Sequence, residues 1–125
     1  MRVVFVVVED WGLKMLEKEI EKIFVAEVSR MGGKAYKFIS PGNGGVPDRV
    51  VCLPGGETYF VELKTDTGKL TPLQKVQLGK LEKMGQRVYV LHGLIEVAEF
   101  FRMIGRDDIA DRVRRKAERE KRNAI

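Results

Sequence analysis

The chain has 125 residues, with 23 Lys or Arg against 18 Asp or Glu, one His, one Cys and 44% apolar residues, as expected of one soluble domain, residues 1–125, with its own core. Cys52 has no partner for an internal disulfide, which excludes a secreted cystine scaffold and points to a reducing cytoplasmic setting. Cys52 and His92 are also too few for a zinc site built on thiolate and imidazole, so any metal here must be held mainly by oxygen, the preference of a hard ion.

Val3 to Val8 is the longest apolar run, far short of a membrane span, and no signal-cleavage pattern follows it. Its β-branched residues predict a buried strand or a packed extension. Phe5 and Trp11 are candidates for a core or dimer contact, with base stacking by Trp11 a further option. From Leu13 to Met31 the residues Leu13, Leu16, Ile20, Ile23, Phe24, Val28 and Met31 recur at helical spacing, and Gly32-Gly33 marks the stop. Ala35 to Ile39 predicts a short strand, followed by the irregular loop Ser40 to Gly45. Val46 to Leu53 and Thr58 to Lys64 read as strands joined by Pro54-Gly55-Gly56-Glu57 into an antiparallel hairpin.

Thr71-Pro72 opens a second helix, with Thr71 as N-cap and Pro72 in the first turn, and Gly85 closes it after Met84. Arg87 to Leu91 predicts another strand. Helices are expected over Ile95 to Met103 and Asp107 to Glu120, the latter fraying at its end. The alternation predicts an α/β fold, a central mixed sheet flanked by helices, with a core over about 13–104 and a helical tail over about 106–125. Residues 112–122 carry seven basic and two acidic side chains, and this excess accounts for the whole net charge of +5. A balanced domain with a basic tail suits a polyanion, either nucleic acid or an acidic membrane surface, or else the tail is simply a solvated helix.

The chemistry-bearing residues are Asp48, Glu62 and Lys64. Side chains alternate along a strand, so Glu62 and Lys64 share one face and Leu63 takes the other. Asp48 opens the neighbouring strand and its carboxylate can approach that of Glu62. Two adjacent carboxylates repel, and a shared proton, a bound cation or a plain ion pair with Lys64 reconciles them. Mg2+ takes one or two carboxylates with substrate phosphate. The Leu63 carbonyl, on the strand edge, is a further candidate ligand.

Together the segments Gly44-Gly45-Val46-Pro47-Asp48, Glu62-Leu63-Lys64 and Gly68-Lys69-Leu70-Thr71-Pro72-Leu73-Gln74 resemble the PD-(D/E)xK nucleases, and within them the VRR-NUC (virus-type replication-repair nuclease) family. The resemblance covers about 17–91. It implies a restriction-endonuclease-like core and a Mg2+- or Mn2+-dependent endonuclease acting on DNA, with Asp48 and Glu62 as metal ligands, Lys64 as catalytic lysine and Gln74 supporting the site or contacting substrate. A further Glu is expected on the first helix. Glu17 has the family's spacing to Gly32, and at 100° per residue it falls on the apolar arc between Phe24 and Val28. Glu27 falls on the same arc, so helical geometry leaves both open, with Glu17 preferred.

Small stand-alone members of the family resemble Holliday junction resolvases in working as homodimers. The resemblance therefore implies branched DNA as substrate, a second copy as partner, and a bacterial or phage-infected host cell as setting. Val3 to Val8 is a candidate dimer surface. Lys37 and Lys69 flank the proposed site and are candidate phosphate contacts or plain solvated lysines. The loop Ser40 to Gly45 is either a flexible connection or a backbone that approaches DNA closely. His92 is read as a satisfied polar group outside the mechanism. Two competing readings are a DNA-binding module whose carboxylates form a structural ion pair, and a sequence-specific restriction-type nuclease.

Overall fold

The computed structural model describes residues 13–124, so Val3 to Val8, Phe5 and Trp11 lie outside the described residues. The elements follow the order α1 (Glu17–Arg30), β1 (Lys34–Lys37), β2 (Arg49–Leu53), β3 (Glu57–Lys64), α2 (Pro72–Lys83), β4 (Val88–His92), α3 (Gly93–Met103) and α4 (Asp107–Asn123). The four strands form one sheet in the order β1-β2-β3-β4. The first two pairings are antiparallel, and β3 pairs with β4 in parallel. A parallel neighbour requires a crossover connection, which α2 supplies.

Helix α1 begins four residues later than its apolar spacing predicts. Leu13 and Met15 are buried while Lys14 and Leu16 are exposed, which is the period of extended chain rather than of helix. Leu16 has β-region angles and caps the helix without a side-chain bond. Strand β2 likewise starts at Arg49, not Val46, because buried Pro47 cannot donate to a ladder. The Asp48 carbonyl still accepts the Phe38 amide at 2.9 Å. Helix α3 starts two residues early, where the Glu96 carboxylate accepts the His92 amide at 3.0 Å. Helix α4 continues three residues past its predicted end.

Along β3 the two faces separate cleanly. Tyr59, Val61 and Leu63 enter the main core under α1, α3 and α4, whereas Phe60 joins Leu78, Val88 and Val90 in a smaller cluster under α2. The main core centres on packed rings. Phe24 lies 5.6 Å from Phe100 and 5.7 Å from Phe101, centroid to centroid, and each such pair adds about 1 kcal/mol beyond its area. Helix α4 buries Ile109, Ala110, Val113 and Ala117, leaving its charged residues on the other faces. Among the described residues, no helix is long and apolar enough to cross a membrane.

Candidate active site

Glu62 lies on the α2 face of β3, opposite Val90 of β4, and is only 1% exposed. Lys64 follows on the same face, opposite His92. The β2–β3 ladder ends at the Arg49–Val61 pair, so the next inward-facing amide on that edge, Leu63, has no strand partner. The Asp48 carboxylate takes that place, accepting the Leu63 amide through Oδ2 at 2.9 Å. A residue's N–H and C=O leave a strand on the same edge, so the Leu63 carbonyl opens toward the same gap. Strand β3 is therefore an interior strand with a local opening at Leu63.

Glu17 reaches this gap from the first turn of α1. One carboxylate oxygen from each of Glu17, Asp48 and Glu62 lies within 4.8 Å of the other two. Glu62 Oε2 accepts from Gln74 Nε2 at 3.0 Å and pairs with Lys64 Nζ at 3.5 Å. Its other oxygen, Oε1, is buried and has no hydrogen-bond partner among the described residues. Burial first, then the neighbouring Asp48 carboxylate, push the Glu62 carboxyl up to about 7. Asp48 is raised by burial against the opposing pull of the Leu63 amide, and Glu17 is raised by burial and then by Asp48. Three acids whose charged forms are all disfavoured, with an orphaned buried oxygen among them, fit a divalent cation of the Mg2+ class.

Gln74 is fixed by the end of its own helix. Its backbone N–H donates to Thr71 Oγ1 at 3.2 Å, and its Oε1 accepts the Thr71 amide at 2.9 Å. This capping box leaves only the Nε2 group to face Glu62, so a residue that stabilises a helix start also orients a carboxylate. Gly45 seats the preceding loop against that same helix start. It has φ +91°, and a Cβ there would lie 2.5 Å from the Leu73 carbonyl carbon and 2.8 Å from the Gln74 nitrogen. The loop from Ser40 to Gly45 is thus docked on α2 at its last residue.

Glu27, the second candidate on α1, is not in the site. It is buried on another side of the helix, where Arg112 Nε approaches Oε2 to 2.8 Å and Arg30 Nη1 approaches Oε1 to 3.2 Å. Lys37 at the end of β1 and Lys69 in the β3–α2 loop are both exposed. His92 belongs to a small polar network beside Lys64. Its pKa is raised, first by its hydrogen bond to Glu96, and it also meets the Gly68 backbone. The sequence reading missed Glu21 and Arg49. Arg49 Nη2 lies 2.7 Å from Glu21 Oε1, and Arg49 Nη1 donates to the Ala35 carbonyl at 3.2 Å. This clamp ties α1 to β1 and β2 one turn from Glu17. Its available signal was the i, i+4 spacing of Glu17 and Glu21, beside an Arg that follows Asp48.

Residues 2–94 match the VRR-NUC domain family. Over 75 residues the chain is 51% identical to a protein of Acyrthosiphon pisum secondary endosymbiont phage 1 named "Putative nuclease p44", an alignment that covers 60% of this chain and 81% of the phage protein. A solved "VRR_NUC domain" structure superposes with a TM-score of 0.66 at 29% identity, covering 69% of this chain and 94% of that one. A "VRR_NUC domain protein" shares the fold with a TM-score of 0.54 at 20% identity over 70% of this chain and 86% of its own. The mixed four-stranded sheet, the converging Asp48, Glu62 and Lys64 and the match to these proteins lead to one assignment: the chain belongs to the VRR-NUC nuclease family.

Proposed function

We propose that the chain is a metal-dependent endonuclease that hydrolyses phosphodiester bonds in branched DNA as a homodimer, with one nuclease domain per copy. The observation that carries this reading is the acidic cluster of Glu17, Asp48 and Glu62, with Lys64 beside it and one Glu62 oxygen buried without a partner among the described residues. Asp48 and Glu62, with the Leu63 carbonyl and Glu17, are the groups to hold Mg2+ or Mn2+. Bound there, the ion supplies Lewis acidity toward a phosphoryl oxygen and lowers the pKa of a water. The Lys64 ammonium would neutralise the charge that builds on the phosphate oxygen or orient the attacking water. Gln74 holds Glu62 in position through the helix cap. Support for a dimer is physical: a compact domain has one site, whereas resolving a junction takes two related cuts. Exposed Ile39, Leu73 and Val76 offer apolar surface for such pairing.

The test is a panel of four-way junction, flap, splayed and linear duplex DNA with Mg2+ or Mn2+. Cleavage of the branched forms is expected, and Asp48→Asn, Glu62→Gln or Lys64→Ala should each abolish it while DNA binding persists. Cleavage that survives all three substitutions refutes the site. Binding without any cleavage favours a DNA-binding module, and cutting of linear duplex at one sequence favours a restriction-type activity. A monomeric mass by light scattering at micromolar concentration refutes the dimer.

A further inference from the structure

Helix α4 lies beyond the residues matched by the family, yet it forms a defined surface with α1. Arg112 stands opposite Glu27, while Glu120 shares the other end of the same groove with Met15 and Glu19. The two helices therefore run antiparallel, separated by a groove of about 590 Å³. Its floor includes the apolar side chains of Ile23 and Val113, and its lining carries five cations against three carboxylates. One of those carboxylates, Glu27, is consumed by Arg112 and Arg30 at the base. Lys22 on one wall and Lys116 and Arg119 on the other make no ion pair with a described residue.

The spacing of these cations favours a rod-like polyanion. On α4, Lys116 and Arg119 follow Arg112 at i+4 and i+7, in one column about 10 Å long whose first member is held by Glu27 and whose other two face the groove without an ion pair to a described residue. That is the axial length of about three nucleotides of a duplex strand. Cations on both walls of a concave groove can grip a backbone from two sides, whereas a flat lipid surface would meet only the rims. By helical angle, Lys18 and Lys22 of α1 fall between Glu17 and the groove face. Both lysines are exposed, with Glu21 between them in sequence paired to Arg49 and exposed Glu19 at the groove, so two cations stand between the two sites.

We propose that the α1–α4 groove is a second DNA-backbone site, which holds a duplex arm flanking the point of cleavage. The role of that arm rests on the nuclease reading above, but its test reads binding. With the full chain in chelator, so that no cutting occurs, affinity is measured against salt for a long duplex and for a short duplex that covers only the candidate site. Combining Lys22→Glu, Lys116→Glu and Arg119→Glu should weaken long-duplex binding about tenfold or more and reduce the slope of log K against log salt by about 2 to 3. Short-duplex binding, and its cleavage in Mg2+, should change less than about twofold. Should the Glu variant fail to fold, the triple Gln variant should show the same loss of slope. An unchanged slope overturns the proposal, as does groove-dependent binding of phosphatidylserine vesicles without groove-dependent binding of duplex. A wild-type chain that cuts no DNA refutes the nuclease reading separately, and the salt slope still decides the groove.

Discussion

Replacing Glu62 by Gln should make the metal-free protein more stable at alkaline pH while removing its response to divalent ions. The native fold pushes this carboxyl from 4.5 up to about 7, so it favours the protonated form. Stability from that preference is complete below pH 4.5 and is lost as pH rises toward 7. At about 1.4 kcal/mol per pKa unit, the ionised group costs about 3 kcal/mol above pH 7. A neutral Gln keeps the shape, can accept from Gln74 Nε2, and can donate to the acidic neighbours where Oε1 now has no partner. Urea denaturation in chelator should show the variant more stable by about 3 kcal/mol at pH 8, about 10 °C in Tm, with the gap falling below about 1 kcal/mol at pH 5. Saturation with Mn2+ at a hundred times its Kd should stabilise the wild type by about 2.7 kcal/mol and the variant far less. A variant that is less stable at pH 8, or a gap that ignores pH, refutes the claim that repulsion and burial strain this carboxylate.

Glu17→Gln should weaken Mn2+ binding by about tenfold, read by calorimetry, with little change in folding. Glu27→Gln should do the reverse, costing about 1 to 2 kcal/mol in denaturation because its two half-exposed Arg partners lose the carboxylate they pair with, while leaving cleavage intact. Gly45→Ala forces a side chain into a left-handed backbone and against Leu73 and Gln74. It should cost about 1 to 3 kcal/mol and reduce the cleavage rate as well. Thr71→Ala removes the acceptor of the Gln74 backbone N–H and should cost about 1 kcal/mol of stability, with a measurable fall in rate because the helix start that positions Gln74 keeps only one of its two capping bonds.

The parts of this protein that are legible in its sequence are those set by local rules. Alternation placed Glu62 and Lys64 on one face, the Pro54 to Glu57 turn produced the antiparallel hairpin, and Thr71-Pro72 marked the start of α2. Segment ends were less legible. Leu13 and Leu16 fit a helical period, but Leu13 and Met15 also fit an extended one, and burial in the finished core selected the second. The choice between Glu17 and Glu27 could not come from helical angle, because both fall within the apolar arc. What separates them is distant in sequence: Asp48 and Glu62 meet one, and Arg112 meets the other. The Leu63 opening was visible only once the ladder was known to end at Arg49–Val61.

The same separation explains how the fold tolerates its candidate site. Three mutually repelling carboxylates are unfavourable where they stand, so rigid neighbours have to hold them. Asp48 is held by the Leu63 amide, Glu62 by a Gln that is itself locked in a helix cap, and α1 by the Arg49–Glu21 clamp near Glu17. Beneath them, Phe24 packs on Phe100 and Phe101, so α1 cannot relax away from the sheet without breaking the aromatic core. Glu27 lies on the side of α1 that faces the groove and has its charge neutralised by two arginines. One helix can then present unmet negative charge to the sheet gap and a charge-balanced wall to the basic face of α4, because its two faces point in different directions. Changes on the first face should therefore alter chemistry and ion binding, and changes on the second the salt dependence of DNA binding. A variant such as Lys22→Glu that altered Mn2+ affinity would show that the two faces are coupled through the helix.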